Sequence, residues 1–401
     1  MAISTPQPVR GTQSMIGEEA DRFAQVVATF DRVRRLYGFK RIEVPVIEPT
    51  PVFARTMGET TDVVSKEMYS FDDRSGESIT LRPEFTAGIC RAYLSEGWQR
   101  FAPLKVATHG PAFRYERPQK GRFRQFHQLD AEVIGSGEPA ADVELLAFGA
   151  QLLAELGIPG VRLKLNTLGD AQSRDMWRAQ LIEHFASVRG ELSEDSQARL
   201  DKNPLRILDS KDPRDRPFAD SAPPMALTSE AEDFFGAVKA GLDAAGVDYE
   251  IAPHLVRGLD YYRHTAFEFV TDQLGAQGTV IAGGRYDGLI EQLGGPHTPA
   301  VGWAAGIERL AMLIDAPEPE KLDVAVVVED DLVIAEAWKS ARILRERGLS
   351  VELFASGSPR KRFDRAVKKG PMEILVLGMD GQTRTQRIKS FGEPRAEAAL
   401  A

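Results

Sequence analysis

The sequence predicts an α+β body of antiparallel sheet flanked by helices, interrupted by a helical insertion and followed by a small α/β domain. Three observations carry that prediction. Residues 68–81 and 104–134 each hold two strand-like runs joined by a polar turn, the pattern of antiparallel hairpins. Residues from about 171 to 245 are charged, helix-forming and broken by NPLR and DPRDRP, with no alternating run. Beyond the linker Ala316 to Lys321, apolar runs alternate with helical stretches, as in a mostly parallel sheet. The expected boundaries are a body over 1–320, with its insertion at about 171–245, and a second domain over 321–401.

In chain order, Phe23, Val26, Val27, Phe30, Val33 and Leu36 make one apolar stripe, predicting a helix from about Glu18 to Tyr37 that Gly38 ends in a left-handed cap. Phe39 to Ile47 alternates as a strand does, with Phe39, Val44 and Ile47 breaking strict period, and Pro45 favours an edge or interface position over mid-sheet. Met68 to Leu81 reads as a hairpin turning at Asp72 to Gly76. Leu104 to Tyr115 and Phe126 to Ile134 are strands joined by ERPQKGRFRQ, and a helix follows from about Ala140 to Leu156. Val161, Leu163 and Leu165 begin the next strand. After the insertion, strands are expected at Glu250 to Arg257, Thr265 to Thr271, Thr279 to Ala282 and Pro299 to Ala304, the last running into a helix at Gly306. The tail reads as strand Val324 to Val328, helix Leu332 to Arg347, strand Val351 to Phe354, helix Arg362 to Lys369 and strand Ile374 to Leu377.

The chain has 401 residues and a single cysteine, Cys90, so neither an intrachain disulfide nor a thiol cluster for zinc is available. No apolar run is long enough to cross a bilayer and the N-terminus lacks a signal-peptide core, which points to a cytoplasmic protein. With 50 basic and 59 acidic side chains, the formal charge is -9, which taken alone speaks against nucleic acid as a partner. The distribution says otherwise. Residues 114–124 carry a net +4 and residues 358–395 a net +6, leaving -19 on everything else. Phosphate attraction depends on the field within about a Debye length, roughly 8–10 Å, so an acidic body with two basic stations still attracts a polyanion there.

Several segments could carry chemistry. On the strand after the basic loop, Gln128, Asp130 and Glu132 share one face, which is either a solvated sheet face or a pocket floor for a small polar cation. Arg114, Arg117, Lys120, Arg122 and Arg124 in the loop offer forks suited to phosphate, and Phe126 offers a ring for a base. Arg257 to Tyr262 sets an arginine and a glycine before paired tyrosines, either a site or plain packing; the glycines of Ala282 to Gly288 suggest either a backbone that must come close to something or a tight turn. Val301 to Leu310 takes a small-residue strand into a helix whose first turn projects Arg309. There is no GxxxxGK[ST] loop, no HExxH and no metal-ligand spacing among the six histidines.

Together these segments resemble the histidyl-tRNA synthetases, a family of class II aminoacyl-tRNA synthetases. The three class II motifs stand in order: the helix and strand ending in Pro45, then FRYERPQKGRFRQFHQ, then GWAAGIERL. LVRGLDYY and AGGRYDG match the family's two histidine segments, RLDKNPLRILDSK its insertion, and the tail its anticodon-binding domain. The resemblance covers essentially the whole chain. It implies a class II catalytic domain with an antiparallel sheet flanked by helices, a helical insertion and a small C-terminal α/β anticodon-binding domain. It also implies the reaction: histidine's carboxylate attacks the α-phosphate of ATP, and the adenylate then esterifies the 3′ end of tRNA(His).

Carried over residue by residue, the resemblance gives Arg114 the α-phosphate, and Arg122 and Arg309 the outer phosphates. Phe126 stacks on adenine and Glu116 completes the ATP set. Glu84, Thr86 and Gln128 hold the α-amino group, Glu132 and Tyr262 meet the imidazole, and Tyr261 and Tyr286 close the pocket. Arg257 stabilises the charge that develops between carboxylate and phosphate, by preorganised charge and without proton chemistry. Gln119 and Arg124 are the candidates for the tRNA acceptor end. The implied partners are histidine, ATP with Mg2+ on its phosphates, tRNA(His) and a second copy in a homodimer, the first motif being the family's interface. A related sensor, the regulatory subunit of ATP phosphoribosyltransferase, shares the fold without the catalysis. Arg257, the basic loop and the attached tail favour the enzyme. Three features depart from the family pattern: Phe85 where glycine is more usual, the bulky pair Arg263-His264, and only about two dozen residues after Leu377.

Overall fold

A computed structural model of the chain describes residues 5–58, 61, 63–119, 121–208, 210, 212–253, 255, 261–391 and 395–400. The amphipathic stripe forms α1 (Glu18–Leu36), with Glu18, Glu19 and Asp21 in its first turn and Arg34 and Arg35 in its last, both favourable to the helix dipole. It buries Val26, Phe30 and Val33, each worth about 1.5–3 kcal/mol, and Gly38 turns the chain at φ 71°. The expected strand from Phe39 to Ile47 is mostly absent. Only β1 (Lys40–Arg41) and β2 (Ile47–Pro49) are strand, because Pro45 between them has no N–H to donate.

Helix α2 (Thr50–Met57) follows, and then the expected hairpin, β3 (Tyr69–Asp72) and β4 (Ser78–Leu81), which pairs with β2 in the order β2-β4-β3. Helix α3 (Thr86–Ser95) comes next. The second hairpin is β5 (Leu104–Phe113) with β6 (Gln125–Ile134), leading to α4 (Pro139–Glu155) and β7 (Arg162–Thr167). The region predicted as an insertion holds α5 (Ala171–Ser187), α6 (Glu194–Lys202), α7 (Arg216–Asp220) and α8 (Ser229–Ala245). After it come β8 (Glu250–Ile251), β9 (Arg263–Val270), β10 (Thr279–Arg285), the short α9 (Leu289–Gln292), β11 (Ala300–Gly306) and α10 (Ile307–Ala311).

Among the described residues, one eight-stranded sheet runs in the order β1-β5-β6-β11-β10-β9-β7-β8. The six central strands are antiparallel and each edge strand is parallel to its neighbour. α1 and α4 cover one face with a core of Phe30, Phe148, Phe267, Trp303 and their neighbours. Two different cores occupy the predicted insertion. Trp177, Leu181, Phe185, Leu200 and Ile207 pack together as one cluster, whereas Val238 and Leu242 of α8 join the core of the sheet.

The chain divides into two compact units, Met1–Pro317 and Glu318–Ala401. The second contains β12 (Val324–Val328), α11 (Ile334–Glu346), β13 (Val351–Phe354), α12 (Pro359–Lys369), β14 (Glu373–Asp380), β15 (Thr383–Ser390) and α13 (Ala396–Leu400). β13, β12 and β14 are parallel, and β15 adds an antiparallel edge. The few residues after Leu377 thus suffice for half a hairpin and a closing helix. The buried carboxylate of Glu373 accepts the backbone N–H of Arg395 (2.8 Å) and Ala396 (2.5 Å) at the head of α13. The basic count of this region overstates its field. Arg362 is buried and paired with Asp331 (2.9 Å), Arg384 pairs with Glu336 (2.5 Å) and Arg387 with Glu329, all acids outside the basic window.

Candidate active site

The row that the sequence singled out on β6 is buried. Gln128 is 8% exposed, and Asp130 and Glu132 are 0%. Burial rules out a solvated sheet face, and of the three only Gln128 lines a cavity, with Asp130 and Glu132 off its wall. Across β11 the row meets Gly306, Ala304 and Gly302 in register, so small residues leave space above it. A Cβ at Gly302 would lie 1.4 Å from Glu132 Oε2, which only glycine avoids. The result is a cavity of about 280 Å³.

At its acidic end, Glu84 caps α3, its carboxylate accepting the N–H of Thr86 (2.7 Å) and Ala87 (2.9 Å). Burial pushes Glu84 above its ordinary value against these bonds and against nearby Arg114. Glu132 stands just behind the wall. Its two oxygens accept the hydroxyls of Thr86 and Tyr286, each at 2.6 Å. Burial, with Glu84 adding repulsion, pushes Glu132 up to about 8 despite those two donors. Tyr261, Tyr262 and Tyr286 line the same end, with ring centroids 4.5 Å apart for the first pair and 5.8 Å for Tyr261 and Tyr286.

The other end is cationic. Arg114 leaves β5 with its guanidinium 5.5 Å from the Phe126 ring centre and its Nε donating to the Pro83 carbonyl (2.9 Å). Arg122 pairs with Glu116 at 3.2 Å. Arg309 donates to the Thr279 carbonyl (2.8 Å), and burial together with nearby Arg122 and Arg114 lowers its affinity for its proton, Glu116 opposing. Three guanidiniums against the carboxylates of Glu116 and Glu308 leave this end with forks suited to a polyphosphate.

Of the residues expected from the sequence, Glu84, Thr86, Arg114, Glu116, Arg122, Phe126, Gln128, Tyr261, Tyr262, Tyr286 and Arg309 line this one cavity. Arg257 and Lys120 lie outside the described residues. Gln119 and Arg124 are on the loop beyond the cavity wall, Arg124 stacked 3.7 Å over the Tyr115 ring. The glycines of AGGRYDG do approach something, but it is protein. A Cβ at Gly283 would lie 2.1 Å from the Gly302 carbonyl, and one at Gly284 2.8 Å from the Tyr262 ring.

Phe85 is fully buried, with the Arg82 guanidinium 3.9 Å from its ring centre. Arg82 in turn donates to the carbonyls of Val44 and Pro111, both at 2.8 Å, so the unusual residue props an arginine that ties three segments together. The pair Arg263-His264 also has a place. His264 takes φ 43° and sets its ring 4.6 Å from Phe234, while Arg263 and Arg174 donate to the Tyr262 carbonyl at 3.1 and 2.5 Å. Sequence reasoning missed Glu308, which lines the arginine end and accepts from His127 N (3.0 Å). Its neighbour Arg309 drew the attention, and an acid beside a cation reads as an ordinary surface pair. Among the described residues no group of three or more His, Cys, Asp or Glu could hold a metal ion, and no helix is long and apolar enough to cross a membrane.

Comparison with known proteins agrees with this geometry. The family model for histidyl-tRNA synthetase matches residues 11–173 and 216–310, the two stretches either side of the insertion's own core. A histidine–tRNA ligase of Novosphingobium aromaticivorans is 67% identical over 95% of this chain and 93% of its own length. One from Gluconacetobacter diazotrophicus is 52% identical over 99% and 97%. The crystal structure of apo S. aureus histidyl-tRNA synthetase superposes with a TM-score of 0.78 at 34% identity, covering 93% of this chain and 92% of that one. On sequence, fold and pocket together, the chain belongs to the histidyl-tRNA synthetase family.

Proposed function

We infer that the chain ligates L-histidine to tRNA(His) in two steps. ATP and histidine give histidyl-adenylate and pyrophosphate; a hydroxyl at the tRNA 3′ end then attacks the adenylate carbonyl and releases AMP. The observation that carries this reading is one cavity with arginines at one end and buried carboxylates at the other. Its charges complement a substrate pair that is anionic at the phosphates and cationic at the amine.

Arg114 holds the α-phosphate in line with the attacking carboxylate, and Arg122 and Arg309 draw back the leaving pyrophosphate. Phe126, beneath Arg114, takes the adenine. Glu84, Thr86 and Gln128 take the ammonium, and Tyr261, Tyr262 and Tyr286 enclose the imidazole. Glu132 anchors one imidazole nitrogen from behind the hydroxyls of Thr86 and Tyr286. Arg257 stabilises charge building between carboxylate and phosphate, an electrostatic contribution typically worth about 2.7–4 kcal/mol of barrier. A magnesium ion carried on the phosphates fits here, since such ions use one or two carboxylates plus phosphate oxygens, and Glu116 and Glu308 line this end. Bound there it would supply charge neutralisation on the phosphates.

The motif-two loop with Gln119 and Arg124 faces the acceptor end of tRNA, and the C-terminal unit takes the anticodon, α12 bringing Arg360, Lys361, Lys368 and Lys369 to one helix. A homodimer through the first motif completes the assembly. The test is charging of a mixed tRNA pool with labelled amino acids. Histidine esterified to tRNA(His) alone is expected, and no histidine ester at all would overturn the reading.

A further inference from the structure

Asp130 has no role in the reaction as described, yet it is a fully buried acid. It is 0% exposed, and among the described residues neither carboxylate oxygen has a hydrogen-bond partner. An ionised carboxylate so placed would carry the full cost of desolvation. The groups that face it are few. Glu132, two residues along β6, shares its face and repels a charge on it. Glu84 and Arg82 approach from the β4–α3 connection, Cys90 from α3, and Tyr286 from the turn after β10. β5 and β11 set Thr108 and Ala304 opposite it, neither of them charged. Among the described residues Arg82 is the one cation acting on it, with its Nε and Nη1 donating to the carbonyls of Pro111 and Val44.

The two neighbouring acids are therefore not equivalent. Glu132 has two hydroxyl donors pointed at it and Asp130 has none, so a single proton between them belongs on Asp130 and the charge on Glu132. Burial and the adjoining carboxylates raise Asp130 well above its ordinary value, in the same direction.

We propose that Asp130 is a proton-bearing acid which donates a hydrogen bond to Glu132 and so positions the carboxylate that anchors the histidine imidazole. This rests on Glu132 being that anchor. Asp130 is a positioning residue; it does not itself reach the cavity wall. A carboxylic acid kept neutral in an apolar site serves as a donor in the same way as an amide would. When the proton is lost at alkaline pH, two like charges stand side by side and Glu132 is driven from its seat.

The experiment follows the histidine KM between pH 6.5 and 9.5 in ATP–pyrophosphate exchange, with the KM for ATP as internal control. In the wild type the histidine KM climbs on the alkaline side and the ATP KM does not. Asp130→Asn, a permanent donor of the same shape, holds the histidine KM within about threefold of wild type at pH 7 and flattens the alkaline climb. Asp130→Ala raises it about fivefold at pH 7, the loss expected for a hydrogen bond of about 1 kcal/mol. An undiminished alkaline climb in Asp130→Asn, or an Asn variant as impaired as the Ala variant at pH 7, would overturn the proposal. Glu132→Gln separates the two ideas. If it leaves the histidine KM unchanged, the anchor assignment has failed; if it raises the KM while Asp130→Asn behaves as wild type at every pH, only the role of Asp130 has.

Discussion

Two buried carboxylates in the same unit, Asp215 and Glu132, are both bonded to hydroxyls and end up on opposite sides of their ordinary range. Asp215, in the helical insertion, accepts Ser193 N (2.8 Å) and the hydroxyls of Ser193 (2.7 Å), Ser196 (2.7 Å) and Ser210 (2.5 Å). Burial works against its charge, but the bonds from Ser196, Ser210 and Ser193 together outweigh burial and hold it down to about 2. Glu132 has half as many donors and carboxylate neighbours besides, and burial pushes it up to about 8. Asp215 is complete and serves the fold. Glu132 is the opposite case, a buried acid whose donors do not outweigh burial, the kind of perturbation that clusters at functional sites. The stability consequences have opposite sign. A depressed acid adds stability above its unfolded value that is lost as pH falls from about 4 towards 2, whereas a raised acid costs stability progressively from about 4.5 up to about 8.

The comparison can be broken at either place. The largest effect is expected at the pocket's cationic end, because the acidic floor matters only if phosphate is held opposite it. Arg114→Ala should slow pyrophosphate exchange about 10²–10³-fold with an unchanged melting temperature. A similar fall in melting temperature and activity would make Arg114 structural. Next comes Asp215→Ala, which should lower stability at pH 7 by about 2–3 kcal/mol in urea titrations and flatten the acid limb between pH 4 and 2. The KM for histidine in the folded fraction should stay as it was, and a raised KM would contradict the division between fold and ligand. The smallest is Thr86→Val, which removes one of the two hydroxyls on Glu132. The histidine KM should rise about tenfold while that for ATP holds.

Much of the site was legible because it is written in strand alternation. Gln128, Asp130 and Glu132 two apart had to share a face, and Val301 to Ala304 read as a small-residue strand running into a helix. What was illegible has physical reasons. α3 is buried along nearly its whole length, so TAGICRAYLS shows no polar face to mark a helix. β15 is an exposed edge of TRTQRIKS with no buried residue to mark it. α8 packs in the main core although its charged neighbours made it look like part of the insertion. The basic count of the tail suffered from the same blindness, since pairing with Glu329, Glu336 and Asp331 depends on folding. Asp130 was visible in the pattern, but only burial beside Glu132 reveals that its proton is the point.

The most direct test of the account is amino-acid-dependent ATP–pyrophosphate exchange, run with each amino acid in turn in the presence of magnesium. The account predicts exchange with histidine and none above background with the others, because it assigns the ammonium to Glu84 and Gln128 and the imidazole to the tyrosine end backed by Glu132. Exchange that ignores histidine, or equal exchange with an amino acid lacking an imidazole, would contradict it.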